Sequence, residues 1–235
     1  PIGQKETHEF LSALNDFYRT SRFNDFFNTH TDIYELGLQV FNDSVMAHFD
    51  QEWYTRFYGT PPAEQFRIII GFTNGPCNYG PSRKLTGQPK EVFAIMNYAV
   101  DDNERPIFYK KVVETVVHEF CHSFTKIKGD TEKALEKSGK ALQEYTYFSM
   151  RRQAYGTWRN ILEESLVRAA TICYLIDHDY DEKDIRNAII EQVDRNFFWM
   201  PELVQTLRYY ESHRKKYPTF TSFYPEIIRF FDRYV

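Results

Sequence analysis

Apolar positions recur every three to four residues through the first sixty positions of the chain. Phe10, Leu11, Leu14, Phe17 and Tyr18 form one helical stripe. With Thr31 as N-cap, Ile33, Leu36, Val40, Val45, Phe49, Trp53 and Phe57 mark a longer helix or a helix pair. Gly59 and Pro61-Pro62 end this stretch, so residues 5–60 read as a helical scaffold.

The period then changes. Phe66-Arg67-Ile68-Ile69-Ile70-Gly71-Phe72 is short and β-branched, and Val92-Phe93-Ala94-Ile95-Met96-Asn97-Tyr98-Ala99 is a second apolar run of strand length. Both predict strands of a small sheet. The stretch between them, Thr73-Asn74-Gly75-Pro76-Cys77-Asn78-Tyr79-Gly80-Pro81, is dense in turn formers and predicts a loop of the kind that often carries function. From about Ile107 the helical period returns, broken near Lys128-Gly129-Asp130, Asp177 to Asp181, Trp199-Met200-Pro201 and Tyr217-Pro218. No internal repeat or low-complexity tract interrupts it. The expectation is an α+β fold, predominantly α-helical, with a small sheet preceding one central helix. It forms a single domain over 1–235, made of a helical scaffold (1–60), the sheet and central helix (61–127) and a helical remainder (128–235).

Composition narrows the functional classes. A chain of 235 residues can bury a substantial core without a disulfide or metal staple. Lys plus Arg total 29 against 33 Asp plus Glu, which leaves no basic footprint and sets nucleic acid aside as a partner. No apolar run approaches the roughly 20 residues that cross a bilayer. The opening Pro1-Ile2-Gly3-Gln4-Lys5 has neither an initiator methionine nor an apolar leader, and suggests either a truncated piece or a processed form whose leader is missing; the second would fit a secreted or periplasmic protein, but localisation is not readable from the chain. Cys77, Cys121 and Cys173 are far apart and outside any C-x-x-C pair, so neither a disulfide framework nor a cysteine zinc knuckle is expected. Aromatic residues make up 17% of the chain, and their helical spacing favours core packing over a sugar-binding platform.

The chemistry is concentrated in Val116-Val117-His118-Glu119-Phe120-Cys121-His122-Ser123-Phe124. At about 3.6 residues per turn, His118 and His122 stand on one face and can share a metal, with Glu119 beside them facing a metal-bound water. At about 100° per residue, Val113, Val116, Val117, Phe120 and Phe124 form the core stripe, and the histidines lie about 120° to 180° from its centre. Two core histidines would sit on the apolar stripe instead, and two unrelated surface histidines are the bland alternative to a shared metal. His8-Glu9-Phe10-Leu11-Ser12 opens the same pattern but lacks the second histidine, so His8 reads as a surface residue.

A catalytic zinc takes three protein ligands and leaves one position for water. His178, in Asp177-His178-Asp179, reads as a solvated turn histidine. The better source is the helix around Glu163 and Glu164, whose core stripe is Leu162, Ser165, Leu166, Ala169, Ile172, Cys173 and Ile176. Glu164 has Arg168 as its i,i+4 partner, whereas Glu163 points more toward solvent and lacks one. Glu164 is thus the expected third ligand, held or screened by Arg168. The bland alternative is an ordinary surface ion pair.

An H-E-x-x-H motif followed by a glutamate on a later helix resembles the gluzincin class of zinc peptidases. More closely, His118 to Phe124, Glu164-Ser165-Leu166-Val167-Arg168-Ala169 and the Asn78-Tyr79-Gly80 loop together resemble an uncharacterised bacterial domain family regarded as zinc metallopeptidases, over roughly residues 20–235. The resemblance implies a zincin-like fold, bound Zn2+ and a peptide or protein substrate. Arg168 departs from the better-known gluzincins, which commonly carry an acidic residue at that position. The implied mechanism uses His118, His122 and Glu164 as metal ligands and Glu119 as general base. Tyr79, Arg168 and Tyr155 are candidates for stabilising the oxyanion. An extended substrate is expected to pair with the strand Val92–Ala99. Two other readings stay open: a zinc amidase acting on a non-protein or cell-wall substrate, and a catalytically silent binding protein.

Overall fold

The computed structural model describes residues 3–73, 75, 77–109 and 111–235. The N-terminal scaffold is helical as expected, in shorter pieces: α1 (Gln4–Thr20), α2 (Phe23–Thr29), α3 (Thr31–Ser44), a 3-10 turn (Met46–His48) and α4 (Glu52–Tyr58). Thr31 is the first residue of α3 rather than its cap, which is His30. The predicted helix pair is real, and its break has a cause. The Asp50 carboxylate accepts the backbone N–H groups of Glu52 and Trp53 at 3.0 and 3.2 Å and so starts a new helix.

The aromatic stripes of this scaffold have opposite fates. Trp53, Tyr54, Phe57 and Tyr58 of α4 are buried, whereas Phe10, Leu11, Leu14, Phe17 and Tyr18 of α1 are all exposed. Core packing, expected for the aromatic residues in general, therefore does not hold for α1. Periodicity says which face is apolar and is silent on whether anything covers it.

Three strands form the main sheet, β1 (Gln65–Ile70), β2 (Ser82–Arg83) and β3 (Glu91–Met96), in the order β1-β3-β2. β1 runs parallel to β3 with Phe66 opposite Val92, and β2 is antiparallel to it. The buried Glu91 carboxylate clasps Arg67 on one neighbour and Arg83 on the other. Beyond it, β4 (Ala99–Val100) and β5 (Pro106–Ile107) make a two-residue ribbon. The second apolar run is thus split, and Ile107 belongs to that ribbon rather than to the following helix.

The Gly/Pro-rich stretch between the predicted strands is only partly a loop; its Asn74 and Pro76 lie outside the described residues. Tyr79 and Ile95 exchange backbone bonds of 3.0 and 2.8 Å, and Pro81 accepts the N–H of Phe93 at 2.9 Å. Asn78 to Arg83 therefore runs as an outer strand, a place where a proline without an N–H is tolerated. This overturns the expected docking of substrate on Val92–Ala99. β3 is central, with both of its edges already hydrogen-bonded.

The helical remainder comprises α5 (Lys111–Cys121), α6 (Gly129–Tyr145), α7 (Tyr147–Arg152), α8 (Trp158–Asp177), α9 (Glu182–Asp194), α10 (Met200–Ser212) and α11 (Phe220–Asp232). The expected breaks are all present, and two further ones fall at Thr146 and at Gln153–Thr157. Thr157 caps α8 by accepting the N–H of Asn160, and Thr219 with Ser222 forms a capping box on α11. α8 is the axis of the fold, packed by α5, α6, α9 and α10. Every residue from Ile161 to Leu175 except Arg168 is buried, so the expected one-sided stripe is instead a helix buried nearly all round. No helix among the described residues is long and apolar enough to cross a membrane. Cys121 and Cys173 are buried free thiols, and Cys77 is exposed.

Candidate metal centre

Helix α5 turns Val113, Val116, Val117, Phe120 and Cys121 into the core. Phe66 of β1 stacks on Phe120 with ring centroids 4.1 Å apart, and Tyr54 of α4 donates to the Val117 carbonyl at 3.2 Å. These contacts fix the rotation of α5 and leave His118 and Glu119 on its other side. His122 follows the last helical residue. There the chain tightens, with Ser123 and Phe124 donating to the carbonyls three residues back, and the two imidazoles remain neighbours with centroids 5.1 Å apart.

Glu164 meets them from α8. Its Oε1 lies 3.3 Å from His118 Nε2 and its Oε2 3.6 Å from His122 Nε2. One donor atom from each of the three residues falls within 4.8 Å of the others, so the group could hold a metal ion. The spacing suits a small tetrahedral cation. Metal–ligand bonds of about 2.0–2.1 Å place tetrahedral corners about 3.3 Å apart.

The protonation states also suit ligation. Burial and the nearby charge of His118 pull the His122 pKa down to about 4, so its ring is neutral and carries a free lone pair at neutral pH. Burial alone would raise the pKa of Glu164, but the hydrogen bond and charge of His118, with Arg168 and His122, hold it well below the usual carboxylate range. Glu119 is shifted the other way. Burial raises its pKa, and the Glu164 carboxylate adds to the effect against His118 and Arg168, leaving Glu119 the more basic of the two.

Behind Glu164 stands a buried polar cluster. Arg168 Nη2 lies 2.7 Å from Glu164 Oε1 and donates to the Tyr155 hydroxyl at 2.9 Å, while that hydroxyl donates to the same Oε1 at 2.9 Å. The guanidinium also donates to Gln192 of α9 and lies 5.1 Å from the Phe197 ring. The Glu164–Arg168 side chains are only 7% and 11% exposed, so the surface-pair alternative does not apply. Gln192 and Phe197 had no signal in the sequence. Tyr155 reaches Glu164 from the unforeseen break before α8, where Ala154 takes φ 67°.

Glu163 differs from its expectation. It is buried, and it accepts the N–H of Ile127 at 2.9 Å and the ammonium of Lys126 at 3.0 Å. It thereby fastens the segment following His122 to α8. His178 is likewise bonded rather than solvated: Nδ1 to the Tyr174 carbonyl at 2.8 Å and Nε2 to Asp50 at 3.1 Å, which ties the end of α8 to the scaffold. His8 is exposed, as expected.

A cavity of about 340 Å³ opens beside the triad between α5, α8 and α9, with His118, Glu119, Arg168 and Gln192 on its wall. From the outer strand, Asn78 lines it and Tyr79 does not; Tyr79 is half exposed. The next residue, Gly80, passes so close to Glu119 that an added Cβ would collide with its carboxylate. The outer strand and the H-E-x-x-H helix are therefore in direct contact at Gly80 and Glu119.

No curated protein and no solved structure matches the chain. One family model does match, over residues 2–230, and the chain belongs to that family, the domain of unknown function DUF4932.

Proposed function

We propose that the protein is a zinc-dependent hydrolase, and specifically a metallopeptidase acting through Glu119, built as one domain over 1–235. The observation that carries this reading is the bridging position of Glu164, 3.3 and 3.6 Å from the two imidazoles, with the more basic Glu119 adjoining them. His118, His122 and Glu164 would hold the ion. When bound, Zn2+ supplies Lewis acidity toward a water and a substrate carbonyl.

The rest of the work falls to side chains. Glu119 accepts the proton of the attacking water and returns it to the leaving nitrogen, a task suited to a carboxylate of raised pKa. Arg168 and Tyr155 direct their hydrogen bonds at Glu164 and so act first as positioning residues. Tyr79, outside that network on the strand beside Glu119, is the candidate oxyanion donor, and Arg168 on the cavity wall is the other. The free edge of Asn78–Arg83 offers backbone groups to an extended peptide.

The test is metal analysis joined to turnover on a panel of peptides and muropeptides. Wild type should retain one zinc per chain, and Glu119→Gln should keep the zinc but lose about 10²- to 10⁴-fold in rate. Glu164→Ala should lose the zinc, while Glu163→Ala should keep it. A Glu119→Gln protein as active as wild type would sink the reading.

A further inference from the structure

Helices α1 and α2 contribute no buried residue. They nevertheless carry eight large apolar side chains, each between 37% and 64% exposed. On α1 these form a true face. At about 100° per residue, Phe10, Ala13, Leu14 and Phe17 fall in one arc, with Ser12, Asp16 and Arg19 opposite. An amphipathic helix with an uncovered apolar side is an interface missing its other half.

We propose that this half is a second copy of the chain, joined in a two-fold dimer by antiparallel pairing of α1 and flanked by α2. Area supports a self-pairing. At about 200 Å² per aromatic side chain, the eight residues leave roughly 750 Å² bare, against about 800 Å² per partner in an interface of standard size. Sequence symmetry supports the antiparallel sense. With the axis between Ala13 and Leu14, Phe10 lies over the partner's Phe17 and small Ala13 lets the helices approach.

Charge points the same way. The excess negative charge of α1 sits in its first turns, where Glu6 and Glu9 outnumber Lys5, and Arg19 lies in the last turn. Arg19 lies opposite the apolar arc and takes no part in the pairing; antiparallel packing aligns the helix dipoles favourably and keeps the two acidic first turns apart, whereas parallel packing opposes like with like. An anionic lipid surface fits poorly, because residues 3–44 carry 3 Lys plus Arg against 7 Asp plus Glu.

The test uses the whole chain and needs no enzymatic activity. Sedimentation equilibrium should give twice the 28.1 kDa chain mass. The double substitution Phe10→Glu, Phe17→Glu should weaken the dimer by at least about 100-fold without shifting the melting curve of the monomer. In a Cys77→Ser background, Ala13→Cys should crosslink two chains under mild oxidation and Lys5→Cys should not. A monomer at every concentration, with or without binding to anionic vesicles, would overturn the proposal. So would a dimer indifferent to the Glu substitutions, or crosslinking through position 5 in place of position 13.

Discussion

Helices α1 and α8 invert each other's relation to solvent. α1 is amphipathic with a clear apolar stripe, yet all of that stripe is exposed. α8 carries two glutamates and an arginine in its middle, yet from Ile161 to Leu175 only Arg168 escapes full burial. The difference lies in the neighbours. α8 is surrounded by four helices, and α5, α9 and the segments at 122–127 and at Tyr155 supply partners for its charges, so polar groups can be buried there at tolerable cost. α1 packs on α2, which buries nothing itself. Burial is thus decided by what the rest of the chain brings to an element, and a charged side chain inside can matter more than a phenylalanine outside.

The largest effects should come from breaking the inside of this pair. In metal-free protein, Arg168→Met leaves Glu164 buried without its cation and should cost about 3–5 kcal/mol in a denaturant titration. A loss under 1 kcal/mol would show that the cluster does not hold α8. Next comes the contact between the outer strand and α5. Gly80→Ala should displace the Glu119 carboxylate and lower zinc-dependent turnover by about 10²-fold, with zinc affinity measured by calorimetry unchanged.

A smaller effect tests the far end of α8. Glu211 of α10 is partly buried beside Asp177, and that desolvation followed by the neighbouring carboxylate pushes its pKa up to about 8 despite Arg208. A carboxyl whose folded pKa exceeds its unfolded one binds its proton more tightly when folded. Its stabilising contribution is complete at low pH and is lost as pH rises from about 4.5 to 8. Glu211→Gln should therefore gain about 1 kcal/mol on wild type at alkaline pH and nothing near pH 5, as read by melting across a pH series. The smallest effect belongs to the outside: Phe17→Ser in dilute protein should change stability by less than about 0.5 kcal/mol.

Much of the site was legible because it depends on one helix. The valines and Phe120 fix the inward face of α5, so His118 and Glu119 had to look away from the core, and Gly129, Pro201 and Pro218 punctuate the helices that follow. What could not be read depends on partners distant in the chain. Glu163 looked solvated because Lys126 and the Ile127 N–H reach it from another segment. α8 looked one-sided because Glu163, Glu164, Ala170 and Thr171, outside the stripe, resemble a polar face until the rest of the chain packs against them. The outer strand was hidden by Gly80 and Pro81, residues that signal a turn but are tolerated at a sheet edge.

The neighbouring glutamates Glu163 and Glu164 work as two bolts in one plate. One grips the main chain at Ile127 just past His122, and the other stands between the imidazoles. Consecutive helical residues diverge by about 100°, so a rotation of α8 that favoured one bolt would withdraw the other. The distance between the two ligand helices is in this way gauged by the backbone itself. An ion arriving there would meet donors set apart at a span already chosen by folding, and selection among cations would rest on how well each radius matches that span.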